Sequence, residues 1–198
     1  MNARDVILQR LRTALADEPA ATPIPRDYGV SWAGGDMRAL FVDRLVDYKA
    51  TVHRSVGDAL AQVSRLLVPP AVPTGWLSGF DGDLVVDDGD LPASVLDGVD
   101  AVLTGCAVAI AETGTIVLDG GPAQGRRAIS LLPDRHIVIV RADQIVGRVP
   151  EAVRRLASAG SGTRATTWIS GPSATSDIEL VRVEGVHGPR HLDVVLIQ

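Results

Sequence analysis

The sequence has little cysteine and little lysine, and each shortage excludes a class of chemistry. Its one cysteine, Cys106, excludes an intrachain disulfide and any metal or iron–sulfur site built on several thiolates of this chain. Its one lysine, Lys49, lies in a helical pattern without a glycine-rich loop before it. Arginine cannot replace it because the guanidinium stays protonated. Phosphate-loop and Schiff-base mechanisms are therefore disfavoured.

Long apolar runs and an excess of positive charge are also absent. The longest runs, such as residues 101–111, are interrupted by glycine and are shorter than the roughly 18 residues that cross a bilayer. The first residues mix charged and apolar side chains and lack the apolar core of a signal peptide. We therefore expect a cytoplasmic protein with no membrane span. The formal net charge of −5 argues against nucleic acid as a partner.

The first 35 residues differ in composition from the rest of the chain. Ile7, Leu11 and Leu15 follow one another at intervals of four, which predicts an amphipathic helix over residues 2–16. Residues 17–35 contain three prolines and three glycines, which is typical of a linker. We therefore divide the chain into residues 1–35, a helix with a Pro/Gly-rich linker, and residues 36–198, a single α/β domain.

Helical and strand patterns alternate along residues 36–198. Helices are predicted from about Asp36, over residues 57–67 and from Pro150. Apolar segments predict strands at residues 101–105, 107–111, 115–118, 137–140, 166–169 and 192–197. Such alternation, with strands apolar on both faces, predicts a three-layer α/β fold with a mostly parallel sheet. Ligands of such sheets bind beyond the carboxyl ends of the strands, so polar loops after strands are the candidate sites.

The first polar loop follows the apolar run that ends at Ala111. Glu112 is a candidate nucleophile or base, and Thr113, Gly114 and Thr115 are candidate ligand-binding residues beside it. The sequence leaves a second interpretation open, because Thr-Gly is a common turn pair. In that case the loop is a hairpin turn with a solvated Glu112.

Two further polar loops follow near the C-terminus. In the second loop, hydroxyl groups and backbone N–H groups can bind an anion, although two carboxylates oppose it. Its candidate residues are Ser170, Gly171, Ser173, Thr175, Asp177 and Glu179. The third loop contains Gly188 and offers His187 as a proton carrier and Arg190 as a fork for a carboxylate. A surface histidine in a turn is the other interpretation of His187. His53, His136 and His191 form no H-x-x-x-H or comparable pair with one another, and no metal site is expected.

Four segments resemble the LutC/YkgG-like family of LUD-domain proteins, in the order that the family has them. They are residues 111–118, 131–137, 170–179 and 185–189. The similarity extends from about Asp36 to the C-terminus, and Ser176 departs from the alanine that is common in the family. The resemblance implies a NagB/RpiA/CoA-transferase-like fold. It also implies a role in oxidising L-lactate to pyruvate, together with partner proteins that carry iron–sulfur clusters.

Two functions from different classes remain open at this point. In the first, the chain is a subunit of a lactate-oxidising system that binds no redox cofactor itself and presents its loops to a small organic acid or to an iron–sulfur partner. In the second, it is a stand-alone acyl- or carboxylate-transfer or ligase-type enzyme with Glu112 as the nucleophile. The sequence does not decide whether the chain is itself an enzyme.

Overall fold

The computed structural model of the chain describes residues 2–16, 22–25, 29, 31–161, 164–175, 183–185 and 187–198. Its helices are α1 (Ala3–Ala14), α2 (Met37–Asp47), α3 (Val56–Leu60), α4 (Ala93–Asp97) and α5 (Val149–Ser158). Its strands are β1 (Thr51–His53), β2 (Arg65–Val68), β3 (Asp83–Val86), β4 (Ala101–Thr104), β5 (Val108–Ile110), β6 (Thr115–Leu118), β7 (Arg135–Arg141), β8 (Ile145–Val146), β9 (Thr167–Ile169), β10 (Ala174–Thr175), β11 (Val183–Glu184) and β12 (His191–Ile197).

The larger sheet has six strands in the order β1-β12-β7-β4-β2-β3, and all neighbouring strands are parallel. Its central strands β4 and β7 are apolar on both faces because each face is covered. Leu103 and Ile137 point to the face that packs under α3 and the turn at residues 74–80. Val102, with Leu67, packs under α4 and the turn at residues 127–130 on the other face. The predicted α/β fold with a mostly parallel sheet is confirmed.

A second sheet, which the sequence analysis did not predict, covers part of the larger one. It has four strands in the order β8-β5-β6-β9, and β5 and β6 form an antiparallel hairpin. Its inner side chains, among them Ile116, share a buried cluster with Val138 and Val194 of the larger sheet. Its outer side chains, among them Ile110, pack with Leu156 of α5. The predicted strands at 107–111 and 115–118 therefore exist but belong to this second layer.

The helix predicted over residues 57–67 is wrong in its extent. α3 ends at Leu60, and Leu67 lies fully buried in β2. Ser55 caps α3, because its Oγ accepts a hydrogen bond from the Asp58 N–H at 3.1 Å. A short apolar run before Pro69 fits a helix or a buried strand equally well, and here pairing with β3 and β4 decides for the strand.

The predicted N-terminal helix is confirmed as α1, which begins after Asn2. The Asn2 side chain accepts a hydrogen bond from the Asp5 N–H at 2.9 Å. Near the end of the predicted linker, the Trp32 N–H donates to Glu151 Oε1 at 2.7 Å, so this segment contacts the domain at the start of α5. The division of the chain at residue 35 stays a prediction. In the described part of the chain, no helix has the length and apolar character needed to cross a membrane.

Candidate functional site

The candidate site is a cavity of about 300 Å³ at the amino ends of β7 and β12. The cavity is lined by residues 167–173 and 187–189, by His136 and Leu192, and by Arg127, Ser130 and Leu131. Side chains alternate along a strand, so His136 lies on the same face of the larger sheet as Val138, the face that carries the second sheet. Ligands were expected beyond the carboxyl ends of the strands, whereas this cavity lies at the amino ends of β7 and β12.

Five of the residues singled out in the sequence line this cavity. They are Ser170, Gly171, Ser173, His187 and Gly188. Three hydrogen bonds join the second and third loops: the Ser173 N–H donates to the Pro189 carbonyl at 2.8 Å, the Gly185 N–H donates to the Ser173 carbonyl at 3.0 Å, and the His187 N–H donates to Ser173 Oγ at 3.0 Å. Thr175 lies in β10, which pairs with β11. Asp177 and Glu179 lie outside the described residues.

The first loop has a different place from the one expected. Residues 111–114 form the turn of the β5–β6 hairpin, in agreement with the second interpretation of this loop. Glu112 does not line the cavity; its Oε1 lies 3.6 Å from Arg148 Nε, and 46% of its side chain is exposed. Thr115 connects the turn to the cavity, because its Oγ1 lies 2.7 Å from both Thr113 Oγ1 and Ser170 Oγ.

The end of α2 fixes the backbones of both loops by close contact. Gly171 has a φ of +85°, and a Cβ atom there would lie 2.8 Å from the Tyr48 carbonyl oxygen. Gly114 has a φ of +60°, and a Cβ atom there would lie 2.8 Å from Arg44 Cβ. Only glycine combines this backbone conformation with so close an approach. The two glycines thus allow both loops to pack closely against the end of α2.

Two residues of the cavity were missed by the sequence analysis. Arg127 is exposed, and its guanidinium has no hydrogen-bond or ion-pair partner among the described residues. His136 is buried, and its Nε2 lies 2.8 Å from Thr104 Oγ1. Burial lowers the pKa of His136 to about 4, so its imidazole is neutral at physiological pH. No local spacing marks either residue, because the cavity brings together segments that are distant in sequence.

Arg126, next to Arg127, has a structural role. Its guanidinium donates to both oxygens of Asp87, with Nη2–Oδ1 at 2.9 Å and Nε–Oδ2 at 3.0 Å, and to the Leu91 carbonyl at 2.7 Å. Asp87 is buried, so its carboxylate is engaged by Arg126 rather than by solvent. Arg127 alone of the pair offers a guanidinium to the cavity. It also lines a neighbouring cavity of about 550 Å³ together with Ser130 and the glycine-rich loop at residues 120–125.

Arg190 does not line the first cavity but holds the third loop in place. Its Nε donates to Asp134 Oδ1 at 2.6 Å. This hydrogen bond holds the pKa of Asp134 below its usual value, although partial burial acts in the opposite direction. The ion pair joins the start of β7 to the residue before β12, and His187 lies in the loop that leads to it.

The side chains of this chain do not fit an iron–sulfur cluster. Clusters are held by several thiolates, and the one thiol of the chain, Cys106, is buried. Burial raises the pKa of Cys106 to about 12, so the thiolate that a metal requires is strongly disfavoured. Among the described residues, no group of three His, Cys, Asp or Glu side chains is close enough together to hold a metal ion.

Comparisons with known proteins agree with the resemblance noted in the sequence. The chain is 47% identical to lactate utilization protein C of Deinococcus radiodurans over 93% of this chain and 86% of that protein. It is 42% identical to the uncharacterized protein YkgG of Escherichia coli, over 40% of this chain and 36% of YkgG. The crystal structure of a DUF162 family protein from Deinococcus radiodurans matches with a TM-score of 0.71 and 42% identity, over 82% of this chain and 96% of that one. The sequence pattern of the LUD domain matches residues 80–197, and the chain belongs to the LUD-domain family.

Proposed function

We propose that this chain is a subunit of an L-lactate utilization system that oxidises L-lactate to pyruvate and that contains iron–sulfur partner proteins. Relatives that carry the name lactate utilization protein C support the link to lactate. The single buried cysteine supports a division of labour in which electrons pass through other chains, because this chain lacks the thiolates for a cluster. In this proposal the chain itself binds no redox cofactor.

The task of the chain in this proposal is to bind a small organic acid, lactate or pyruvate, in the cavity at the amino ends of β7 and β12. The observation that carries it is the guanidinium of Arg127, which lines the cavity without a protein partner in the described part of the chain. A guanidinium fork matches the two oxygens of a carboxylate. Ser170 and Ser173 also line the cavity, and their hydroxyls can bond the 2-hydroxyl or 2-oxo group.

Binding can be measured directly because Trp168 also lines the cavity. Its fluorescence is followed while L-lactate or pyruvate is titrated into the wild type, Arg127→Gln and Arg38→Gln. Arg38 is the control, since it is an exposed arginine on α2 that does not line the cavity. Loss of a charged hydrogen-bond partner should weaken binding roughly tenfold or more in Arg127→Gln and leave Arg38→Gln unchanged. Equal affinities in all three proteins would refute the assignment of the cavity.

Growth separates this proposal from the acyl-transfer alternative. A strain that lacks the gene should fail to grow on L-lactate, and the wild-type gene should restore growth. Glu112→Gln should restore it as well, because Glu112 lies outside the cavity beside Arg148. Normal growth of the deletion strain on L-lactate would refute the proposed role in lactate utilization. Failure of Glu112→Gln alone, in a folded protein, would favour Glu112 as a nucleophile instead.

A further inference from the structure

A second group of titratable side chains lies on the other face of the larger sheet. Asp193 of β12, Arg135 of β7 and His53 of β1 line a cavity of about 330 Å³. Since neighbouring residues of a strand point to opposite faces, Arg135 and Asp193 point away from the first cavity, which His136 and Leu192 line. Every lining residue of the second cavity is polar; the others are Thr51, Gln62 and His191.

The carboxylate of this cavity is already occupied by protein partners. Asp193 is 4% exposed and accepts hydrogen bonds from Arg135 Nε at 2.7 Å and from Arg135 Nη2 at 3.2 Å. His53 Nε2 contacts its Oδ1. The charge of Asp193 is therefore balanced by one guanidinium, and both of its oxygens are engaged. It can offer little to a cation and repels an anion only weakly.

Apart from Asp193, every polar group of the cavity except that of His53 offers at least one hydrogen-bond donor. Arg135 has five N–H groups, of which two are directed to Asp193. His53 uses Nε2 as a donor to Asp193, so Nδ1 of its neutral ring is an acceptor, and the imidazole of His191 adds one donor and one acceptor. The hydroxyl of Thr51 and the amide of Gln62 can also donate. The N–H groups of Arg135 that Asp193 leaves free, together with the donors of Thr51, Gln62 and His191, can therefore bind an anion, while the one carboxylate of the lining is already paired.

We propose that this cavity binds a small oxyanion, the carboxylate or phosphate group of a metabolite, independently of the first cavity. Arg135 binds the anion through the N–H groups that Asp193 leaves free, and its orientation is fixed by the fork with Asp193. His191 and Gln62 are exposed residues of the lining and can donate hydrogen bonds to the bound group. The proposal does not depend on a role in lactate utilization, since the two cavities share no lining residue.

The test uses the histidine side chains of the full-length protein as reporters. NMR spectra of the imidazole C–H groups are recorded while inorganic phosphate, or in a separate arm pyruvate, is added at constant ionic strength. His53 and His191 should shift in a saturable way with phosphate, with pyruvate or with both, and the tighter of the two identifies the group. In the phosphate arm His187 of the first cavity is the internal control and should remain unshifted.

Variants decide whether the shifts report a site. His191→Gln combined with Gln62→Ala removes two exposed donors and leaves the Asp193 ion pair intact, so the protein should fold with an unchanged thermal transition. Affinity should fall roughly tenfold in this double variant, and His187→Gln should bind the phosphate as the wild type does. The proposal is overturned if His53 shows no saturation up to roughly 10 mM of either anion, or if the double variant binds as tightly as the wild type.

Discussion

The side chain of Asp193 connects three neighbouring strands of the larger sheet. Its carboxylate links β12 to Arg135 of β7 and to His53 of β1. Replacement by asparagine keeps the size of the side chain but leaves the Arg135 charge without its counter-ion. Because breaking a buried ion pair is costly, we expect Asp193→Asn to lower the free energy of unfolding by about 3 kcal/mol at pH 7, measured by urea denaturation.

The same carboxylate gives a pH dependence with a defined sign. Burial alone would raise the pKa of Asp193, but the hydrogen bonds from Arg135 and His53 lower it below 3.8 in the folded state. The stabilisation is therefore complete above pH 3.8 and is lost as the pH falls through the lower folded pKa. The difference in free energy of unfolding between the wild type and Asp193→Asn should therefore become smaller in that acid range.

Asp134→Asn is the control for the loss at pH 7. Its ion pair with Arg190 is exposed, so the substitution should lower the free energy of unfolding by less than about 1 kcal/mol. Equal losses in the two variants would contradict the role of Asp193.

At the scale of elements, the start of α5 is held by one side chain. Glu151 accepts hydrogen bonds from the Gly147 and Arg148 N–H groups at 2.7 and 2.9 Å, and from the Trp32 N–H at 2.7 Å. Glu151→Ala removes the cap and the tie to the preceding segment together. We expect a loss of about 2 kcal/mol and faster hydrogen exchange at the Trp32 amide, measured by NMR.

A control on the same helix makes this result specific. Val153 is half exposed on α5, so Val153→Ala should change stability by less than roughly 0.5 kcal/mol and leave the Trp32 amide protected. If Glu151→Ala left exchange at Trp32 unchanged, the tie between α5 and the segment before residue 36 would be disproved.

Whether a helix or strand could be predicted depends on whether the sequence pattern that marks it is local. The pattern of Ile7 and Leu11 with the Asn2 cap is local, and α1 was found. The strand runs were also found, but their partners were not. An apolar run such as residues 107–111 looks the same in a parallel sheet and in a buried hairpin, so the second sheet was missed. The neighbours of a strand in a sheet are determined by packing between distant segments, and a single sequence does not show this packing.

At the scale of the whole molecule, the site residues that were predicted lie in loops of unusual composition. The site residues that were missed lie in distant segments of the sequence and reach the cavity only through the fold. Ser170 and Ser173 were recognised from clustered hydroxyls, and both line the first cavity. Arg127 and His136 come from segments about 40 residues earlier, so only the fold brings them there. Glu112 was favoured because it ends an apolar run, a rule for parallel sheets that does not hold in a hairpin.

The N-terminal helix is the part of the described chain whose removal the domain should tolerate. None of the residues of α1 is buried, and Ile7, Leu11 and Leu15 are 58%, 52% and 61% exposed. Since little apolar surface leaves water when α1 forms, it adds little to the stability of the domain. We expect deletion of residues 2–16 to shift the melting temperature by less than about 2 °C, which corresponds to roughly 1 kcal/mol for a chain of this length.

A positive control defines the sensitivity of this experiment. Leu45 of α2 is fully buried in the cluster beneath the second sheet, so Leu45→Ala should cost about 2–5 kcal/mol and lower the melting temperature by several degrees. Differential scanning calorimetry on the full-length, truncated and Leu45→Ala proteins measures all three values. A fall on truncation as large as that of Leu45→Ala would show that α1 packs against the domain in solution. An unchanged thermal transition of the truncated protein would show that the apolar side chains of α1 do not belong to the cooperative core, because they then contribute nothing to the unfolding equilibrium.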